Sequence, residues 1–210
     1  MVTAALGGIA AAGWCTYTWV TPMAAPSQTA EVDAASRAGK AETERRMEQV
    51  LDTLPDTPQQ LGAATTDHCL RNAAFEGEPP GPLNCQWRMD RYVAFDGDLR
   101  AAAEEWGKAL NSNQWVSSEE SFPPEWREYR DPQTHDRLVI RMVQDGSEVP
   151  RLVAAPRFEG AKEYKRERRD FTGQKEAAQA VTEGRRVARI SLVHAYYRQD
   201  GQPPFEPQWW

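Results

Sequence analysis

The residues of this chain whose types could do chemistry are three histidines, one close pair of cysteines and three pairs of neighbouring carboxylates. His68, His135 and His194 are scattered, and none has a second ligating residue at a metal-binding spacing. The nearest approach is His68 with Cys69 and Cys85. Two thiolates and one imidazole lack a fourth ligand, and adjacent His–Cys is not a usual zinc pair. No metal and no cofactor are therefore expected. His194 follows Val193 inside an apolar strand pattern and is expected to be a strand residue rather than a base. Catalytic triads assemble in space, not in sequence. Still, the chain has no G-x-S-x-G nucleophile turn and no G-x-x-x-x-G-K-[ST] phosphate loop. The pairs Glu104–Glu105, Glu119–Glu120 and Asp96–Asp98 have the residue types of glycoside hydrolysis, where an acid and a base flank the scissile bond. Their settings predict helix surface, loop solvation and helix caps instead. No catalytic residue is assigned.

Cys69 and Cys85 bracket the segment "LRNAAFEGEPPGPLN". "GEPPGP" forms neither helix nor central strand. A disulfide closing a loop of this size stabilises by about 3 kcal/mol in the chain-entropy model. A disulfide is the expectation, over two unpaired thiols or a metal site, and it places the body in an oxidising, extracytoplasmic compartment.

Hydrophobic residues make up 40% of the chain and charged residues 27%, with a net charge of −6 that lies wholly outside residues 1–30. The water-exposed body is thus mildly acidic, which argues against nucleic acid as a partner. One basic cluster stands out, "KEYKRERR". Its Lys162, Lys165, Arg166, Arg168 and Arg169 are a candidate contact for anionic headgroups or a cell-wall polyanion. Glu163 and Glu167, at helical spacing from basic partners, predict a solvated, salt-bridged helix face there. The chain ends in "FEPQWW". Phe205, Trp209 and Trp210 are candidates to cover an apolar patch or to contact a partner or a membrane interface, on an extended path set by Pro203, Pro204 and Pro207.

The elements that must position these residues can be placed in outline. Residues 31–54 read as a helix ended by Leu54-Pro55, polar nearly all round until Met47, Val50, Leu51 and Leu54. A solvated stalk whose last turns dock on the body is expected. "PDTPQQLGAATTDH" reads as a loop. "CQWRMDRYVAF" alternates as a half-buried strand, with Trp87, Met89, Arg91, Val93 and Phe95 on one side. Asp96 or Asp98 can cap the helix that follows, whose Leu99, Ala103, Trp106 and Leu110 form one face. A short edge strand is expected near residues 126–130. "DRLVIRMVQ" and "VPRLVAAPRF" around "DGSE" predict a hairpin. Residues 160–183 read as a helix broken near Gly173, and "RRVARISLVHAYYRQ" as the last strand. The expected fold is α+β: an antiparallel sheet of about four strands with a helix packed on one face.

"VTAALGGIAAAGWCTYTWV" carries no charge and, at 1.5 Å per residue, spans roughly 28 Å, about one hydrocarbon core. Trp14, Tyr17 and Trp19 suit a membrane–water boundary. A transmembrane helix is expected, over a cleaved signal segment, a buried helix or a lipid-bearing Cys15. The organisation expected is therefore residues 1–21 anchor or signal segment, 22–60 linker and stalk, 61–200 extracytoplasmic domain, and 201–210 tail. Arg37, Lys40, Arg45 and Arg46 just after the span lean the other way, toward a cytoplasmic body.

The Ala, Arg, Glu and Trp bias, the apolar start, the two cysteines and "DGDLRAAAEEWGKALNSNQW" resemble uncharacterised membrane-anchored or secreted proteins of high-GC actinobacteria. That resemblance implies organisation, not site residues. The function expected is a single-pass, cell-membrane-held extracytoplasmic domain that binds or assists, its partners the membrane through the N-terminal helix and an envelope protein. The alternatives are a secreted or anchored hydrolase and a cytoplasm-facing subunit of a membrane complex.

Overall fold

The structure, a computed structural model, describes residues 26–72, 81–118, 125–154 and 161–202. Helix α1 (Ala30–Thr53) starts where the Thr29 hydroxyl accepts from the Val32 N–H at 3.2 Å. Glu31 and Asp33 in its first turn suit the positive end of the helix dipole. It stops at Leu54, because Pro55 cannot continue it. After it come β1 (Gln59–Asn72), β2 (Leu83–Phe95), α2 (Leu99–Ser112), β3 (Val116–Ser117), β4 (Trp126–Arg130), β5 (Arg137–Val143), α3 (Val149–Val153), β6 (Ala161–Arg169), α4 (Gln174–Thr182) and β7 (Arg186–Arg198).

The strands form one seven-stranded sheet in the order β3-β4-β5-β7-β2-β1-β6. Every neighbouring pair is antiparallel. Seven strands therefore replace the four expected. β1 escaped because "QQLGAATTDH" has no alternation of large apolar residues, yet it pairs with β2 from Gln59 to Arg71. β6 escaped because its charges mimic helical spacing. Paired with β1, those charges alternate across an edge strand instead.

β2 and β7 lie at the centre, so β2 is buried on both faces rather than half-buried. On one face α1 and α2 lay Met47, Val50, Leu54, Leu99, Ala103, Trp106 and Leu110 against Trp87, Met89, Val93, Ile140, Ile190 and Leu192. Across the sheet, α3 and α4 cover Tyr92, Ala94, Val143 and Val187, and Phe171 stacks on Tyr92 with ring centroids 3.8 Å apart.

α1 is not a stalk. Val32, Ser36, Gly39, Thr43, Arg46, Met47 and Val50 are all buried along it, so it docks over its whole length. Ser36 and Gly39 make close approach possible: the Trp87 indole N–H donates to the Ser36 carbonyl at 2.8 Å. The expected hairpin after β5 is also absent. The Asp145 carboxylate accepts from the Ser147 N–H at 2.8 Å and caps a short 3-10 turn, and Pro150 then suits the first turn of α3.

The membrane-spanning expectation is corrected as well. No helix among the described residues is long and apolar enough to cross a membrane. α1 has the length, but charged residues run all along it. Single-pass anchoring through an N-terminal helix, with the membrane as partner, therefore has no support; residues 1–21 lie outside the described residues.

Candidate ligand-binding cleft

A candidate ligand cleft lies where α1, β2 and α2 turn into one another. The connection from Pro55 to Pro58 forms one wall of a cleft of about 510 Å³. The turn Asp96–Asp98 and the exposed side of the first two turns of α2 form the other. That volume falls within the range of small-ligand sites, about 300–1,000 Å³. The floor is aromatic: Phe95 and Trp106 meet with ring centroids 5.0 Å apart, tilted by 53°.

Local chemistry sets this shape. Asp98 is extended and its carboxylate accepts from the Ala101 N–H at 3.0 Å, fixing the start of α2. Gly97, at φ +94°, makes the turn that lets β2 run into that cap. On the opposite wall Asp56 and Thr57 hold left-handed φ values of 62° and 37°, a conformation costly for residues with a Cβ. Arg185 ties the walls together. Its guanidinium donates to Asp96 at 3.1 Å, to the Ala94 carbonyl at 3.2 Å and to the Gln59 side chain. Asp56, Asp96, Asp98 and Glu105 face this single cation around the cleft. No histidine, cysteine, serine or lysine lines it; its titratable lining is four carboxylates and one guanidinium.

The structure distributes the residues singled out from sequence as follows. Cys69 and Cys85 stand directly opposite each other on β1 and β2, joined as a disulfide and buried with Val32 and Leu83. Asp98 is a cap, as its position predicts, and Asp96 is an exposed ion-pair partner. Glu119 and Glu120, and the tail residues Phe205, Trp209 and Trp210, lie outside the described residues.

His68 is buried and shares a 2.9 Å hydrogen bond with the Gln86 amide. Burial, with the charges of Arg88 and Lys165 adding to it, pulls its imidazole down to a pKa of about 3. His135 is exposed, in a left-handed turn at φ 60°. His194 meets Asp136 at 2.8 Å, and Asp136 also takes the Arg46 guanidinium at 2.9 Å. Arg46 reaches Asp131 as well and donates to the Thr134 hydroxyl at 2.5 Å. The histidine–carboxylate pair thus belongs to a clamp that holds α1 on the sheet. It lines neither the aromatic-floored cleft nor the polar one beside Arg46 and Trp115. Among the described residues no group of histidine, cysteine, aspartate and glutamate is placed to hold a metal.

The basic cluster is divided. Arg166 turns inward, donating to Asp67 at 3.0 Å and Asp33 at 2.6 Å. Lys162, Lys165, Arg168 and Arg169 stay exposed on β6.

Reasoning from sequence missed Asp67. This buried carboxylate accepts from the Ser36 hydroxyl at 2.5 Å and the Tyr196 hydroxyl at 2.7 Å, besides Arg166. It also missed the cleft, whose walls come from stretches far apart in the chain. The positive-φ pair at Asp56 and Thr57 leaves no sequence signal beyond the prolines that flank it.

No family model matches the chain, and neither does any curated protein or solved structure. The class of protein is therefore given by fold and site alone: a seven-stranded α+β sheet protein with a disulfide and an aromatic-floored cleft.

Proposed function

We propose that this protein is an extracytoplasmic binding or accessory domain that holds a small ligand, or a short segment of an envelope partner, in the cleft at the N-terminal end of α2. The observation that carries this is the cleft itself: a concave site of ligand size, with an aromatic floor and polar walls. The compartment is supported by the buried Cys69–Cys85 disulfide, a bond that persists where thiols are not kept reduced.

Ala101 is exposed on the cleft wall, and its N–H, not its side chain, serves the helix cap. Ala101→Trp should fill the cleft and spare the fold. Wild type and variant would be isolated without denaturant from cells that naturally make the protein, with free thiols trapped, and compared by native mass spectrometry. Wild type is expected to carry a ligand that Ala101→Trp has lost, and both should yield a cross-linked Cys69–Cys85 peptide. Identical bound mass on both proteins, or none, would remove the cleft from the proposal. Freely alkylated thiols would remove the compartment.

A further inference from the structure

We propose that the outer edge of β6 takes up an acidic, extended polypeptide segment as an added strand. This surface is independent of the cleft. β6 closes one side of the sheet, and among the described residues only β1 pairs with it. An edge strand offers a row of backbone donors and acceptors to an incoming chain.

The side chains along this edge select the partner's charge. Ala161–Arg169 carries five basic residues against two acidic ones, on a body whose net charge is −6. Arg166 is consumed by Asp33 and Asp67, which leaves four exposed cations, of which Arg168 also meets Asp170 at 2.6 Å. Pairing with β1 sorts them by face. Lys162 and Arg169 stand opposite Arg71 and Thr65, on the side covered by α1. Lys165 and Arg168 stand opposite His68 and Thr66, on the other side. The irregularity between Asp67 and His68 is what lets Arg166 and Glu167 both turn toward α1, where Glu167 meets Lys40 at 2.8 Å.

A flat anionic surface or a polymer lying on one face of the sheet meets only one of these two pairs of cations. A strand laid beside β6 meets both, because its side chains point alternately up and down. Acidic residues on both faces of that strand would oppose Lys162 and Arg169 above and Lys165 and Arg168 below. The same cations oppose edge-to-edge pairing of two copies, since like charges across strands destabilise.

The test uses the full chain and a fluorescein-labelled decapeptide of repeating Glu-Glu-Thr-Thr, which places glutamate on both faces of a strand, with binding read by fluorescence anisotropy. A second decapeptide of identical sequence carries an N-methyl group on every amide, which keeps the charge and removes strand pairing through either edge. Wild type should bind the unmodified peptide, more weakly as salt rises. Lys165→Glu with Arg169→Glu, both at exposed positions, should weaken binding at least tenfold while the circular dichroism stays unchanged. The N-methylated peptide should bind at least tenfold more weakly than the unmodified one. Absence of binding to wild type overturns the proposal. So does equal binding of the two peptides, which would make the contact one of charge alone, and so does self-association through this edge in sedimentation.

Discussion

Asp67 and His68 are neighbours on β1, point to opposite faces of the sheet and are both almost fully buried. Their chemistry is opposite. Asp67 is surrounded by donors: Arg166, Ser36 and Tyr196 compensate the cost of removing a carboxylate from water. Burial and the Asp67 charge push the Tyr196 phenol up, so it stays protonated as a donor. His68 has cations near it and an amide across from it, so it stays neutral. A pH dependence follows. Unfolded, His68 takes a proton below its ordinary value of 6.5; folded, only near 3. Between those values the unfolded chain binds more protons, so the stabilisation is complete above pH 6.5 and is lost as the pH falls toward 3. The loss is on the order of 4 kcal/mol. Asp131, held below the usual carboxylate range because Arg46 and two backbone N–H groups outweigh its burial, adds its own loss only at lower pH. His68→Gln keeps an amide next to Gln86 and does not titrate. Urea unfolding at pH 6.5, 5.5 and 4.5 should show wild-type stability falling through this window and the variant nearly flat. Parallel slopes would mean that His68 is not the group responsible.

At the scale of elements, the contact between α1 and β7 turns on Gly39. A Cβ there would sit 2.6 Å from the Tyr196 Cβ, an atom fixed to the backbone of β7. Alanine gains up to about 1 kcal/mol over glycine in a helix, but forcing a methyl into a packed interface costs about 1–3 kcal/mol. The second effect wins, because Tyr196 is also tied to Asp67 and cannot swing away. Gly39→Ala should therefore lower the urea midpoint without changing the slope. A rise in the midpoint would show that α1 can lift off the sheet at small cost.

The same helix shows what was legible in the sequence. α2 was readable because its face is made of Leu99, Ala103, Trp106 and Leu110 at helical spacing, below an Asp98 cap. β2 and β5 were readable from alternation of large apolar residues, and β4 and β7 could be placed in outline. The docking face of α1 was not, because its first half is Val32, Ser36, Gly39 and Thr43. Small and polar residues there permit close packing and hydrogen bonds, and hydropathy does not mark them as buried. β1 hid for the same reason. The cleft's Asp98 and Trp106 could be singled out one by one, but their meeting with Asp56 and Arg185 depends on chain reversals that no local pattern records.

On the scale of the whole molecule, the order of the sheet makes the last strand its keystone. β7 alone joins β3-β4-β5 to β2-β1-β6, pairing with β5 on one side and β2 on the other. Both halves of the sheet therefore depend on a strand that enters from the far end of the chain. The disulfide lies within one of those halves, across β1 and β2, and constrains their hairpin even in an unfolded chain. Its contribution should act on the whole cooperative unit, because β2 belongs to the same core as α1, α2 and β7. With a sequence separation of 16, removing the link frees a loop worth about 3 kcal/mol in the chain-entropy model. For a domain of this size each kcal/mol moves Tm by about 2–4 °C, so Cys69→Ala with Cys85→Ala should melt roughly 6–12 °C lower, in one transition seen alike by tryptophan fluorescence and far-ultraviolet circular dichroism. Two separate transitions would instead show that the half-sheet β2-β1-β6 unfolds on its own, and that β7 does not bind the two halves into one unit.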